Sequence, residues 1–150
     1  MHSNQTFAGM LFFIFLSGFS LHADSNLMKC EVRLIWGTNE SDAPQKTFKA
    51  IDTSLTQKLS STLAWRSYYE ANKKDFQTRK GGNVQQIELS KSFSISLQYL
   101  NDGRLEARLF KLGKFTNRTV IHPKTGNRLV LAYDGDNNGA WFVVVKILDP

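Results

Sequence analysis

The apolar positions along the chain recur mostly every second residue, which predicts a protein built from β-strands. Residues 28–36 (MKCEVRLIW) open the pattern. Cys30, Val32, Leu34 and Trp36 fall on one face and Glu31 and Arg33 on the other, as in a half-buried strand. Gly37 to Gln45 is a polar loop. The period then changes once. Ile51, Leu55, Leu59 and Leu63 recur every four residues behind Asp52, a residue suited to accept from the free N–H groups of a first helical turn. This predicts one helix ending near Ala64, packed by its leucine stripe on a sheet.

Beyond the helix the period returns to two. Trp65 to Thr78 reads as one long strand or two short ones, and Val84 to Leu89 as another. Phe93, Ile95, Leu97 and Tyr99 alternate with Ser94, Ser96 and Gln98, and Asn101-Asp102-Gly103 supplies a hairpin turn. Leu105, Ala107 and Leu109 alternate with Arg104, Glu106 and Arg108, and a short strand is expected over Thr119 to His122. Leu129 to Ala132 and Trp141 to Val145 are apolar at every position, so both are expected to be central strands covered on both faces. The fold class predicted is mainly β, with α+β as the variant: an antiparallel sandwich or meander of about eight strands with one packed helix.

The first 23 residues stand apart from this pattern. Met10 to Leu21 is an uncharged apolar run followed by Leu21-His22-Ala23, the layout of a signal peptide cleaved near Ala23. At about 12 residues it falls short of the roughly 20 that cross a bilayer. The expected organisation is a signal peptide at 1–23 and a single β-rich domain at 24–150, secreted or periplasmic. No other stretch predicts a transmembrane segment. Cys30 is the sole cysteine, so an exported domain of this size must hold itself together by its core, with Cys30 facing inward as a small apolar residue.

The order of LIWGTNE, a leucine-stripe helix, AWRSYYE and a meander ending in AWFVVVKIL resembles small exported β-rich bacterial proteins with no assigned activity. The resemblance implies a fold class and no functional residue.

Charge changes the picture most. Residues 104–128 hold Arg104, Arg108, Lys111, Lys114, Arg118, Lys124 and Arg128 against the single acid Glu106. That surplus equals the net charge of the whole chain, +6, so the remainder is balanced. Concentrated positive charge suits an anionic partner such as an envelope polymer, a lipid headgroup or nucleic acid. It also suits a solvated surface that protects sheet edges. Phe110 and Phe115 interleave with the charges.

Catalytic chemistry has little to build on. After residue 23 there is one histidine, His122, beside Pro123, and no Gly-x-Ser-x-Gly elbow. One His and one buried Cys do not make a zinc site. Asp134-Gly135-Asp136-Asn137-Asn138-Gly139 matches the first half of a calcium loop, with Asp134, Asp136 and Asn138 as candidate ligands. The position that should supply a bidentate Glu is Val145, and the flanks read as strands. The expectation is a polar hairpin loop with no metal and no cofactor. The function expected is therefore a non-enzymatic exported β-domain that binds or scaffolds a partner in the envelope or outside the cell. The alternatives are a polyanion-binding module acting through segment 104–128, and a hydrolase with a site assembled from scattered residues. The partner expected is an anionic envelope polymer or a protein.

Overall fold

The computed structural model describes residues 26–135 and 138–150. The expected signal peptide and Asp136 of the acidic loop lie outside them. The described chain forms two antiparallel sheets and one helix. The order is β1 (Leu27–Thr38), β2 (Lys49–Ala50), α1 (Thr53–Ser60), β3 (Ser67–Arg79), β4 (Gln85–Glu88), β5 (Phe93–Tyr99), β6 (Leu105–Lys111), β7 (Lys114–Ile121), β8 (Arg128–Asp134) and β9 (Gly139–Asp149). The first sheet runs β2-β3-β1-β9-β8 and the second β4-β5-β6-β7. This is the mainly β fold with one packed helix that the pattern predicts.

The main core lies between the sheets. Met28, Cys30, Val32 and Leu34 of β1 and Val143, Val145 and Ile147 of β9 meet Phe93, Ile95 and Leu97 of β5 and Leu105, Ala107 and Leu109 of β6. A second core lies on the outer face of the first sheet. There Leu55 and Leu59 of α1 pack on Ile35, Tyr68, Ala140, Phe142 and Val144. The helix starts where expected, since the Asp52 carboxylate accepts from the Leu55 N–H at 2.8 Å. It ends at Ser60, earlier than the leucine spacing suggests. Leu63 still packs against the second core because its N–H donates to the Leu59 carbonyl at 2.7 Å, continuing the turn beyond the helix proper.

Two expectations change, and one open alternative is decided. β9 is buried on both faces, but its partner β8 is the outer strand of the sheet. Leu129 and Leu131 of β8 face the inter-sheet core, while Val130 is 41% exposed and Ala132 faces solvent. The eight-residue helix does not seal the sheet as far as its edge: a hollow of about 440 Å³ stays open between Leu55 and Leu59 of α1 and Val130 and Ala132 of β8. The centre of the sheet is β1, paired with β3 on one side and β9 on the other. The segment Trp65 to Thr78 is one strand interrupted by a bulge: Leu34 pairs with Asn72 and Ile35 with Glu70, leaving Ala71 as the extra residue. β7 starts earlier than its apolar residues indicate. Its pairing with β6 begins at Lys114, where side-chain alternation carries little hydrophobic signal.

Candidate functional site

Four inward-facing rows of aliphatic side chains turn aromatic at the same end of the sandwich, while that of β6 ends in Lys111. Trp36 follows Leu34 on β1, Trp141 precedes Val143 on β9, Tyr133 follows Leu131 on β8, and Phe93 precedes Ile95 on β5. The rings touch. Trp36 and Trp141 lie 5.0 Å apart between centroids, Phe93 and Trp141 5.5 Å, and Phe93 and Tyr133 5.5 Å in an edge-to-face arrangement. Phe48, from the loop after β1, adds an edge contact to Trp141 at 6.0 Å. Tilted and edge-on contacts of this kind match the ring quadrupoles. They also leave gaps that flat stacking would close.

The sheets part here around a cavity of about 500 Å³, walled by Phe48, Phe93 and Trp141 and rimmed by Gln45, Asn72, Lys91 and Lys111. Among the described residues no carboxylate lines it. The Lys111 ammonium sits 4.6 Å from the Phe93 ring centre and 4.7 Å from that of Tyr133. The negative ring faces hold the amine in place without neutralising it. Glycine shapes the other side of the aromatic wall. A Cβ on Gly139 would fall 2.4 Å from the Trp36 ring and 2.4 Å from the Gly37 carbonyl oxygen, so only glycine lets the loop close on Trp36.

The basic residues of segment 104–128 separate in space. Strand alternation sends Lys111 inward to the cavity rim and Arg108 outward. Arg108 and Arg118 face each other across β6 and β7 and share one acid: Arg108 Nε lies 2.5 Å from Glu106 Oε1, and Arg118 Nη2 lies 2.6 Å from Glu106 Oε2. These bonds, that of Arg118 foremost, outweigh the effect of burial and hold the Glu106 carboxyl below its usual range. Arg104 lies in the turn and donates from Nε to Asp102 Oδ2 at 2.7 Å. Lys114 is exposed at the start of β7, and Lys124 is exposed in the connection to β8. Arg128 belongs to the other sheet, beside Lys146 of β9.

Arg128 and Lys146 border a second cavity of about 320 Å³ beside the start of α1. Its charges are mostly consumed internally. Arg33 lies 2.6 Å from Glu31, 3.5 Å from Asp52 and 3.6 Å from Glu70, and Lys73 lies 3.1 Å from Glu31. Burial pushes the Glu31 carboxyl up, but its bonds to Arg33 and Lys73 bring the net shift below the usual range.

Of the candidate calcium ligands, Asp134 is exposed at the end of β8. The Asn138 carbonyl accepts from the Thr38 hydroxyl at 2.7 Å. Among the described residues no three His, Cys, Asp or Glu side chains cluster as metal ligands would. Burial pushes the Cys30 thiol up to about 12, so it stays protonated, and His122 is exposed. Also among the described residues, no helix is long and apolar enough to cross a membrane.

The aromatic cleft was not visible in the linear pattern. Trp36, Phe93 and Trp141 read there as core residues, and Lys111 as one member of a charged run. The available signal was the aromatic residue at the same end of four strands, which has meaning only once the strands are aligned. The chain matches no family model, no curated protein and no solved structure.

Proposed function

We propose that this chain is a non-enzymatic, exported binding domain whose ligand site is the aromatic cleft, and that the ligand is an amphipathic anion. The observation that carries this reading is an unneutralised ammonium, Lys111, held at the rim of an aromatic-walled cavity that no described carboxylate lines. The lining is mixed, with Leu34, Phe48, Phe93 and Trp141 set against Gln45, Asn72, Lys91 and Lys111, which suits a ligand that is itself part apolar and part charged. An apolar body would cover Phe93 and Trp141 while an acidic group meets Lys111. Asn72 is already held through its amide, which donates to the Leu89 carbonyl at 2.8 Å, so its side chain is oriented before a ligand arrives.

A polyanion site spread over segment 104–128 has less support. Arg104, Arg108 and Arg118 already bond to acids, and Arg128 lies on the other sheet.

The test is a titration with dodecanoate below its micellar concentration, with 1-decanol as the neutral comparison, followed by amide NMR shifts. Shifts should centre on Phe93, Lys111 and Trp141. Lys111→Met keeps the apolar stem and removes the charge. It should weaken dodecanoate binding about tenfold, the cost of one charged hydrogen bond, and leave decanol unchanged. Shifts located elsewhere, or an equal loss for both probes, would refute the assignment.

A further inference from the structure

The β6–β7 hairpin turns through Leu112-Gly113, and its geometry is unfavourable in water twice over. A two-residue hairpin turn of this hand needs positive φ, for which Asn and Gly are the suitable residues. Gly113 adopts φ 75° without cost, but Leu112 adopts φ 50°, and among the described residues it is the one non-glycine residue with positive φ. Its backbone is pinned there by an N–H that donates to the Ser92 carbonyl at 2.7 Å. The strain is not repaid by packing, since Leu112 is 69% exposed. Phe115, three residues on, is 58% exposed, with an edge contact to Phe110 at 6.1 Å. These are the two most exposed of the large apolar side chains among the described residues.

Charge surrounds these two side chains. Lys111 and Lys114 flank the turn in sequence, and Lys91 borders the same surface hollow as Leu112. Among the described residues neither Lys91 nor Lys114 is in an ion pair with an acid, and Glu88 is the one acid lining that hollow. A projecting apolar tip ringed by ammonium groups complements a fluid apolar layer beneath anionic headgroups. It is a poor match to a protein partner. Two side chains on a convex turn bury far less than the roughly 800 Å² per side of a stable protein interface.

We infer that the β6–β7 hairpin tip docks onto an anionic lipid bilayer, with Leu112 and Phe115 entering the interfacial layer and Lys91 and Lys114 lying against lipid phosphates. This does not rest on the cleft reading, since Lys111, held at the cleft rim by the Phe93 and Tyr133 rings, takes no part in it. Burying apolar side chains at the headgroup boundary favours binding, and each nearby lysine adds attraction to an anionic surface.

A polarity-sensitive dye on Leu112→Cys tests it in the full chain, because buried Cys30 escapes labelling in the folded protein. Vesicles of phosphatidylglycerol and phosphatidylcholine should shift the dye's emission to the blue. The same dye on Lys58→Cys, on the exposed side of α1, should not respond, which separates tip insertion from membrane binding by the apolar N-terminal run. Adding Phe115→Ser to the labelled chain should raise the lipid concentration at half-shift about tenfold, as expected for losing one buried aromatic side chain. Leu112→Asn should melt at the same temperature as the unmodified chain or higher, because it suits the turn and removes no packing. No shift at residue 112, an equal shift at residue 58, a shift that appears only with an added protein, or a lower melting temperature for Leu112→Asn would each overturn the inference.

Discussion

Val143, Val144 and Val130 lie within two paired strands yet should differ sharply in what a substitution costs. Val143 faces the inter-sheet core at 1% exposure and Val144 faces the helix at 2%. Replacing either with alanine removes two methyl groups from water-free surroundings. The lost transfer energy is about 1.6 kcal/mol at about 0.8 kcal/mol per carbon. A residual void of about 30–50 Å³ adds roughly 1 kcal/mol at about 24 cal/mol per Å³. Each substitution should therefore cost about 2–3 kcal/mol. Val130 pairs with Val144 in the ladder, but its side chain is 41% exposed on the outermost strand. Val130→Thr keeps the β-branched shape and exposes a hydroxyl to water, so its effect should stay within about 0.5 kcal/mol. Urea unfolding followed by tryptophan fluorescence would measure all three. With a slope of about 1–3 kcal/mol per molar urea, the two core variants should lower the midpoint by about 1 M or more at unchanged slope. A neutral Val143→Ala or Val144→Ala would refute the two-sided burial of β9. A large loss for Val130→Thr would refute the placement of β8 at the edge.

Two further outcomes follow from the same geometry. Glu106 is 6% exposed, and its carboxyl is held below the usual range. Its contribution to stability is therefore complete above the ordinary carboxylate pKa and fades as the pH falls through the lower folded value. Glu106→Gln should cost about 1–2 kcal/mol at neutral pH, at the low end for a buried pair because both arginines are about half exposed; the variant should also lose part of the acid-range slope in urea midpoints measured from pH 3 to 7. Gly139→Ala should destabilise by more than 2 kcal/mol, since the added carbon meets backbone as well as the Trp36 ring; circular dichroism melting against Gly126→Ala, where a Cβ meets nothing within 4 Å and only the φ of 81° opposes it, would separate the two costs.

What the sequence by itself determined is local. Period-two alternation specified the strands Phe93–Tyr99 and Leu105–Lys111, because a pleat sends successive side chains to opposite faces whatever the strand packs against. The four-residue leucine spacing and Asp52 specified one short helix for the same reason, since capping and amphipathicity act within a few residues. What covers a face is not local. Leu129 to Ala132 is as continuously apolar as Val143 to Val145, and only the strand order and the length of α1 decided that Val130 would meet water and Val144 would not. The positive segment 104–128 is one run in the chain and several places in space, because alternation sends Lys111 to the cleft and Arg108 to Glu106, and the crossover after β7 carries Arg128 to the other sheet. The cleft itself required tertiary register. Trp36, Phe93, Tyr133 and Trp141 come from four strands, their rings meet because the two sheets bring those aromatic ends together, and Phe93 and Trp141 of this cluster line the cleft.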